Sequence, residues 1–301
     1  MILGFNVVYF ILVTILFPTS SNQTSLQEDL TLTQTELEIL NKFRELVKPR
    51  LPHEYMNQDI YLITWLRAKK FDIPAAENML MENLKWRKVH NMDNILKEDW
   101  SDFEQEFRFE IQGCDKEGRP VVSIPVGDWD VRRAVLAGQS DKLIRYFDKL
   151  LEEVTTLIRV AQQSGENMTR FNHIMDMANY NLRIQACPLC IPVYVNHFLS
   201  YENHYPGTMN SIKLVNCPPI FLSLWQIIRE FLSPTTKDAI KLYGKDKSEW
   251  KTALLKDIDA SQLTKEFGGL NDEGYSMEEI RKLPNLECSS LSMIREGTSE
   301  S

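Results

Sequence analysis

The stretch that decides the fold is residues 205–237, which reads YPGTMNSIKLVNCPPIFLSLWQIIREFLSPTTK. Residues 211–215 form a short apolar run that predicts a buried strand. Two prolines then open a segment, 220–232, predicted to be a helix with apolar side chains on nearly every face. A helix without a polar face is buried in a core, spans lipid or covers an apolar cavity. This one is shorter than the roughly 20 residues that a membrane crossing needs, which leaves a core helix and a cavity cover as the two interpretations.

Strands alternate with helices on both sides of this stretch. The predicted elements are a hairpin of runs 107–112 and 120–126 around the turn Asp115-Lys-Glu-Gly, a helix over 140–163, a buried strand over 171–177, and helices over 192–199 and 235–243. Such alternation is typical of a mostly parallel sheet covered by helices. The fold class predicted for residues 100–270 is therefore α/β.

A small helical unit precedes this domain at residues 35–95. Its three predicted helices carry apolar residues at three- and four-residue spacing. The third begins at Pro74, behind Asp72 as a capping residue. Residues 22–34, rich in Thr, Ser and Gln, are predicted to be a flexible arm, and residues 271–301 a polar C-terminal tail.

The first residues have the pattern of a secretory signal. Residues 2–17 are almost wholly apolar, Pro18 ends that run, small residues follow at 19–21, and no charged side chain precedes Glu28. This order is typical of a signal peptide, here residues 1–21, and predicts a protein of the secretory pathway or the extracellular space. The alternatives are a retained membrane anchor and a buried N-terminal helix in a cytoplasmic protein.

Composition and charge exclude several classes of protein. The 301 residues include 34 Lys and Arg against 42 Asp and Glu, a net charge of −8, and 43% are hydrophobic, which is ordinary for a globular chain. The acidic balance argues against a nucleic-acid partner, because nucleic-acid phosphates favour a basic stripe. The sequence has no phosphate-binding loop, dinucleotide fingerprint, nucleophile elbow or zinc-protease motif. We therefore expect no enzyme, no catalytic residues, no cofactor and no metal.

The pair Cys187-Pro-Leu-Cys190 is the one motif with chemistry of its own. A thioredoxin-like site places such a pair between a strand and a helix, whereas this pair lies between two predicted helices. A zinc site would need two more ligands, for which His197 and His204 are the nearby candidates. Two half-buried thiols, or a local disulfide in a secreted protein, are the other interpretations.

Five blocks, in order, resemble the CRAL-TRIO family of lipid-transfer proteins over about residues 35–270. The blocks are Trp65-Leu-Arg-Ala-Lys-Lys-Phe-Asp72, Asp115-Lys-Glu-Gly-Arg-Pro-Val121, Ile174-Met-Asp176, the run that begins at Tyr205-Pro, and Phe267-Gly-Gly269. The resemblance implies a three-helix unit packed on an α/β domain with an apolar pocket, closed by a movable lid helix at 220–232. It implies no covalent chemistry.

The resemblance also implies a function. Such proteins bind one hydrophobic molecule and carry it between membranes, so we expect a lipid partner, transient contact with membrane surfaces and a monomer. Some relatives of the fold act as scaffolds for other proteins, and a ligand-free scaffold is the alternative function. Some members append a β-rich GOLD domain after the Gly-Gly motif, which we do not expect here.

Two positions depart from the phosphatidylinositol binders of the family. Those proteins carry a Glu after Tyr-Pro and a Lys just before the Ile of a later helix, where this chain has Gly207 and Ala239. Arg67 and Thr236, also used by such proteins, remain. Both charged head-group contacts are therefore absent, which argues against a phosphoinositide cargo.

A further departure concerns the inner strand. Phe171 and His173 stand where phosphatidylcholine binders carry small hydroxyl residues. A sterol, a retinoid, a tocopherol-like molecule or a fatty acid is therefore the expected cargo. By strand parity and helix position, the predicted ligand-binding residues are Val122, Ile124, Phe171, His173, Met175, Ile212, Leu214, Phe221, Trp225, Ile228 and Phe231. His173 is the polar member, which either bonds a hydroxyl or carboxylate of the ligand or satisfies a backbone carbonyl.

Overall fold

The computed structural model describes residues 25–283 together with residues 288 and 291. The predicted signal peptide lies outside the described residues. The N-terminal helices are α1 (Ser25–Leu30), α2 (Gln34–Val47), α3 (Asp59–Ala68) and α4 (Ile73–Val89). The domain that follows contains α5 (Ser101–Glu106), β1 (Glu110–Cys114), β2 (Pro120–Pro125), α6 (Val131–Leu136), α7 (Ser140–Gln163), β3 (Phe171–Asp176), α8 (Leu182–Gln185), α9 (Ile191–His204), β4 (Met209–Val215), α10 (Phe221–Ile228), α11 (Pro234–Ala239), β5 (Ile240–Leu242), α12 (Lys247–Asp257), β6 (Tyr275–Ser276) and α13 (Met277–Ile280).

Helices α2, α3 and α4 pack around one small apolar core. The Thr33 hydroxyl accepts a hydrogen bond from the Glu36 amide at 3.2 Å, and the Glu36 carboxylate accepts one from the Thr33 amide at 2.8 Å. This capping box starts α2. Asp72 caps α4 by accepting from the Ala75 amide at 2.9 Å, with Pro74 in the first turn, as predicted. The core includes Leu40, Phe43, Leu62, Trp65, Leu66 and Leu80.

A six-stranded sheet forms the centre of the second domain, with strand order β5-β4-β3-β2-β1-β6. Strands β2 to β5 are parallel, whereas β1 pairs antiparallel with both β2 and β6. Parallel neighbours require long crossovers, and helices of the chain supply them and cover the sheet. The predicted α/β class with a mostly parallel sheet is confirmed.

The predicted hairpin joins β1 to β2 through a turn at Asp115. The Asp115 carboxylate accepts hydrogen bonds from the amide and the Nε of Arg119, at 2.8 and 2.7 Å. Strand β1 begins at Glu110, later than the predicted 107. The carbonyl of Arg108 accepts a hydrogen bond from the indole of Trp129 at 3.2 Å, so it is not used in a strand ladder.

The predicted helix over 235–243 is wrong in its second half. Helix α11 ends at Ala239, and the next three residues form the edge strand β5. Ile240 pairs with Ile212 of β4 in parallel register. Pairing with the sheet therefore outweighs the helical pattern of this short segment.

Regular structure also extends beyond the predicted domain at both ends. Helix α1 lies within the segment 22–34, predicted to be a flexible arm, and its Asp29 is only 6% exposed. Strand β6 and helix α13 lie within the predicted polar tail, 271–301, and Cys288 forms a disulfide with Cys114 of β1. Both predictions are corrected for the described residues, because tertiary contacts that the local pattern does not show hold these segments.

Candidate functional site

An apolar cavity lies between one face of the sheet and helices α7, α9 and α10. Its empty volume is about 640 Å³, including the part open to solvent. Small-molecule sites commonly have volumes of roughly 300–1,000 Å³ and mainly apolar walls with a few polar groups. The cavity has this character, since aliphatic, aromatic and thioether side chains form nearly all of its wall.

Strand register places three predicted residues side by side on the floor of the cavity. Ile124 pairs with Met175, and Met175 pairs with Leu214, in adjacent parallel strands. Their side chains form one row on the same face of the sheet, and all three line the cavity. The row lies near the carboxyl ends of the strands, where open parallel sheets bind ligands.

The next row of predicted residues lies beyond the cavity. Val122, His173 and Ile212 pair in the same way two residues earlier, on the same face. They are buried but do not line the cavity, and the same holds for Phe171 at the start of β3. Strand parity thus predicts the correct face, but it does not say how far along the strands a cavity extends.

Helix α10 forms the outer wall of the cavity. It ends at Ile228, earlier than predicted, and a short 3-10 turn follows. Phe221 and Ile228, two of the predicted ligand-binding residues, line the cavity together with Leu224. Trp225 is half-buried and packs against the core without lining the cavity, and the side chain of Phe231 lies outside what the structure describes. In residues 25–283 no helix is both long and apolar enough to cross a bilayer.

The outer side of α10 exposes apolar residues beside the polar Ser223 and Gln226. Leu222 is 51% exposed and Ile227 56% exposed, and Ile220, which precedes the helix, is 51% exposed. Exposed apolar side chains that lie close together are suited to contact with a membrane or another protein. Helix α10 therefore has apolar residues toward the cavity and exposed apolar residues on its outer side.

Helices α7 and α9 supply walls that the sequence analysis did not assign to the site. Phe147 and Leu150 lie on α7, and Tyr194, His197 and Phe198 lie on α9. Residues three or four apart share one face of a helix. That spacing is the sequence signal that could have identified both sets.

Three polar atoms in and beside the cavity are buried without a partner. The Oη of Tyr194, Nδ1 of His197 and Nδ1 of His173 are inaccessible to solvent and form no hydrogen bond within the described chain. Burial lowers the pKa of His197 to about 4. Burial, with a smaller effect of His197, lowers the pKa of His173 to about 3. Burial also raises the pKa of Tyr194 well above its ordinary value, so all three side chains are uncharged at neutral pH.

Arg67, which the family resemblance assigns to the head-group end, is bound by the chain itself. Its Nη1 donates a hydrogen bond to Oδ1 of Asp29 at 2.8 Å. Arg170 forms an ion pair with the same carboxylate, and the Thr169 hydroxyl donates to its Oδ2 at 2.5 Å. An anionic head group at Arg67 would therefore meet the negative charge of Asp29 beside it.

The other positions of the head-group comparison do not line the apolar cavity. Gly207 lines a second, more polar cavity between the N-terminal helices and α7 and α9. Its φ is +72°, and an added Cβ would lie 3.8 Å from Cβ of Thr64. Thr236 is buried, and its amide donates to the Ser233 hydroxyl at 3.3 Å at the start of α11. Ala239 is the last residue of that helix.

Cys187 and Cys190 form a disulfide in the connection between α8 and α9. This agrees with the local-disulfide interpretation of the motif. Cys217 is a buried free thiol whose pKa is raised to about 12 by burial. Within the described residues, no cluster of three or more His, Cys, Asp or Glu side chains could hold a metal, and the suggested set with His197 and His204 does not form.

Comparison with known proteins agrees with this architecture. The model of the CRAL/TRIO domain matches residues 105–269. The chain is 28% identical over 270 residues to the phosphatidylinositol/phosphatidylcholine transfer protein SFH7 of Arabidopsis thaliana, covering 80% of this chain and 48% of that protein. It is 27% identical over 235 residues to the SEC14 cytosolic factor of Yarrowia lipolytica, covering 75% of this chain and 46% of that protein. The chain thus spans about half the length of the curated relatives it matches.

A solved structure shares the fold. The crystal structure of Sfh5 superposes with a TM-score of 0.65 at 14% sequence identity, and the match covers 89% of this chain and 99% of that one. The likeness extends over both the N-terminal helices and the sheet domain, since it covers most of the chain. With the domain match over more than half of the sequence, it follows that this chain belongs to the CRAL/TRIO domain family, which is known for lipid binding and transfer.

Proposed function

We propose that this protein binds one lipid-like molecule in the apolar cavity and carries it between membranes, with α10 as the movable lid. The observation that carries the proposal is that α10 has apolar residues on both its inner and its outer side. Phe221 and Ile228 close the cavity from its inner side, while Leu222 and Ile227 remain exposed on its outer side. A lid of this kind can rest on a membrane while the cavity opens beneath it.

Burial of apolar surface is sufficient for such a carrier. Removing about 200 Å² of hydrocarbon from water stabilises a complex by roughly 5 kcal/mol, at about 25 cal/mol per Å². No bond has to form or break, and the cavity wall offers mainly apolar side chains. We infer a non-enzymatic binding protein that acts as a monomer and meets membranes only transiently.

The cargo we propose is less polar than a phosphoinositide. The named relatives are phosphatidylinositol/phosphatidylcholine transfer proteins, but this chain has Gly207 and Ala239 at two head-group positions. Arg67 is the cation that remains among the head-group positions, and it already donates a hydrogen bond to Asp29. These three features favour a lipid such as a sterol, a retinoid, a tocopherol-like molecule or a fatty acid.

We also propose that the protein works in the secretory pathway or outside the cell. The N-terminal segment, residues 1–21, with its apolar run at 2–17, supports this, and so do two disulfides, Cys114–Cys288 and Cys187–Cys190. Disulfides persist in oxidising compartments and are uncommon in the cytosol. The cytosolic factor among the relatives indicates that such a location would be a departure within the family.

A vesicle assay with two matched variants tests the proposal. Donor vesicles of phosphatidylcholine carry a fluorescent sterol, retinol or fatty acid, and acceptor vesicles carry a quencher. Leu224→Trp fills the cavity from α10, whereas Leu222→Trp adds the same ring to the exposed face of that helix. We expect the wild type and Leu222→Trp to transfer at least one of the probes, and Leu224→Trp to lose transfer while still binding vesicles.

Two results would contradict the carrier function. One is that the wild type neither takes up nor transfers any probe, which would favour the scaffold alternative. The other is undiminished transfer by Leu224→Trp, which would place the lipid elsewhere. Circular dichroism and urea unfolding show whether each variant is folded before its transfer is compared.

A further inference from the structure

One surface loop carries a sequence triplet that the function proposed above does not use. Residues 164–170 connect α7 to β3, and within them Asn167, Met168 and Thr169 form the pattern Asn-X-Ser/Thr. This pattern is the acceptor for N-linked oligosaccharides in secreted proteins, provided that the middle residue is not proline. Such a triplet also arises by chance, so its place in the fold decides whether it can carry a glycan.

Asn167 stands where an oligosaccharide has room. It is exposed, as are residues 163–165 at the end of α7 and the start of the loop. Helix α1 contacts the loop through the backbone, since the Leu26 amide donates a hydrogen bond to the Asn167 carbonyl at 3.2 Å. A glycan is bulky and hydrophilic, and an exposed loop position accommodates it outside the packed core. The fold therefore tolerates a glycan at this residue.

The loop lies at the opposite end of the sheet from the lid. Asn167 precedes β3 and so lies at the amino end of that strand, whereas Met175 lines the apolar cavity near its carboxyl end. Helix α10 lines the same cavity, and its outer side exposes Leu222 and Ile227. A hydrophilic glycan on the loop would leave these side chains free to meet a bilayer. A modification at this position is thus compatible with the carrier function.

The modification also requires entry into the secretory pathway. The apolar run at residues 2–17 is typical of a signal that directs a chain there. The disulfides Cys114–Cys288 and Cys187–Cys190 favour the same oxidising route. The inference below rests on this proposed location and does not depend on which lipid is carried.

Thr169 determines when the glycan can be added. Its hydroxyl donates a hydrogen bond to Oδ2 of Asp29 at 2.5 Å, and the residue is only 9% exposed. The hydroxyl is part of the acceptor pattern, so a transferase has to reach it, and the folded protein buries it. Addition therefore has to precede the docking of α1 onto the loop.

We propose that Asn167 is an N-glycosylation site, modified as the chain enters the secretory pathway and before α1 docks. The donor is an oligosaccharide carried on a lipid diphosphate. Nδ2 of Asn167 forms a bond to the anomeric carbon of the first sugar, and the bond from that carbon to the diphosphate breaks. The amide loses one proton, the lipid diphosphate leaves with the bonding electron pair, and no oxidant or reductant takes part.

Expression of the full chain with its own N-terminal segment in cultured animal cells tests the inference. A second triplet, Asn22-Gln-Thr24, lies outside the described residues, and Asn22→Gln removes it from every variant. In this background we expect an N-glycosidase to lower the mass of the protein in one discrete step. Peptide mapping should then find Asn167 converted to aspartate by that enzyme, and Asn167→Gln should abolish the step.

Three further variants separate the triplet from the contact with Asp29. Thr169→Val removes both the pattern and the hydrogen bond, so we expect it to lose the glycan. Thr169→Ser keeps the pattern and should retain the glycan. Asp29→Ala removes the hydrogen bond but keeps the pattern, and it should also retain the glycan because addition precedes docking. Cell lysates are measured with the medium, so a variant that fails to fold is still scored.

The outcomes distinguish this inference from the proposals on which it rests. Secreted protein without a glycan at Asn167 would overturn the inference and leave the location and the carrier function intact. Protein that stays in the cytosol without a glycan would overturn the inference together with the proposed location. A mass step that persists in Asn167→Gln would place the glycan at another residue, and loss of the glycan in Asp29→Ala would contradict the proposed order of addition and docking.

Discussion

Arg67 of α3 donates a hydrogen bond from Nη1 to Oδ1 of Asp29 in α1, across 2.8 Å. The contact joins a segment predicted to be flexible to a cation that the family resemblance assigns to lipid head groups. Asp29 is nearly buried and also pairs with Arg170, so one carboxylate bridges two arginines. The protein therefore combines the family fold with an Arg67 that is already paired within the chain.

Asp29→Asn should weaken this contact and expose the two arginines to anionic ligands. We expect the free energy of unfolding to fall by about 1–3 kcal/mol, since a buried ion pair loses one charge. We also expect uptake of phosphatidylinositol from vesicles to rise above the wild-type level. Glu28→Gln is the comparison variant, since it removes a more exposed carboxylate of the same helix, which pairs with Arg170 at 3.7 Å. An effect of Glu28→Gln equal to that of Asp29→Asn would argue against a specific role of Asp29.

The exposed face of α10 should control membrane contact. Replacing Leu222 and Ile227 together by Ser removes two half-exposed apolar side chains, and we expect binding to phosphatidylcholine vesicles to weaken about tenfold or more. Affinity for a lipid already in solution should stay the same, because neither side chain lines the cavity. Leu136→Ser, an exposed leucine on α6, is the control. Equal loss in the control would show that general surface hydrophobicity, not α10, drives vesicle binding.

The two disulfides should differ in their contribution to stability. Cys114 and Cys288 are separated by 174 residues, whereas Cys187 and Cys190 are separated by three. In the chain-entropy account, closing the long loop stabilises the fold by about 5 kcal/mol and closing the short loop by roughly 2 kcal/mol. We expect Cys288→Ser to lower the urea midpoint more than Cys190→Ser does under oxidising conditions. Peptide mapping that finds Cys114 and Cys288 reduced in protein purified under oxidising conditions would contradict the pairing.

Asp148 should make stability depend on pH. Burial raises its pKa to about 6. The Ser200 hydroxyl, which donates a hydrogen bond to the carboxylate, and the nearby Arg145 lower the pKa and so offset part of this rise. The carboxyl of an unfolded chain titrates near 3.8, so the folded state binds the proton more tightly. This group therefore destabilises the fold above pH 6, and the penalty disappears as the pH falls toward 4.

The test is Asp148→Asn in urea unfolding at two pH values. The variant should exceed the wild type by roughly 1–3 kcal/mol at pH 7.5 and by much less at pH 4.5. Asp238→Asn, an exposed aspartate of α11, is the control and should show no such difference. A gain in Asp148→Asn that is the same at both pH values would contradict the raised pKa.

The sequence predicts the parts of the site that depend on local periodicity. Alternation along β2, β3 and β4 identifies the face on which Ile124, Met175 and Leu214 lie, and the apolar character of α10 identifies Phe221 and Ile228. These features can be predicted from the sequence because side-chain direction along a strand or helix follows from backbone geometry. The depth of the cavity does not follow from them, which is why parity alone does not show that Val122 and Ile212 lie beyond its wall.

Other features arise only from contacts between distant segments. The unpartnered state of Tyr194 and His197 depends on what surrounds them in space, and no spacing in the sequence reports it. The edge strand β5 forms because Ile240 meets Ile212 of β4, and α1 is held because Asp29 meets Arg67. Each is a tertiary contact that overrides the weak preference of a short segment.

The most direct test of the central claim is mass spectrometry of the protein purified under native conditions. The intact complex and its organic extract are measured together, so that the stoichiometry and the identity of any bound molecule come from one sample. We predict one lipid-like molecule per chain. An empty protein that also takes up no lipid from vesicles would contradict the claim that this chain is a lipid carrier.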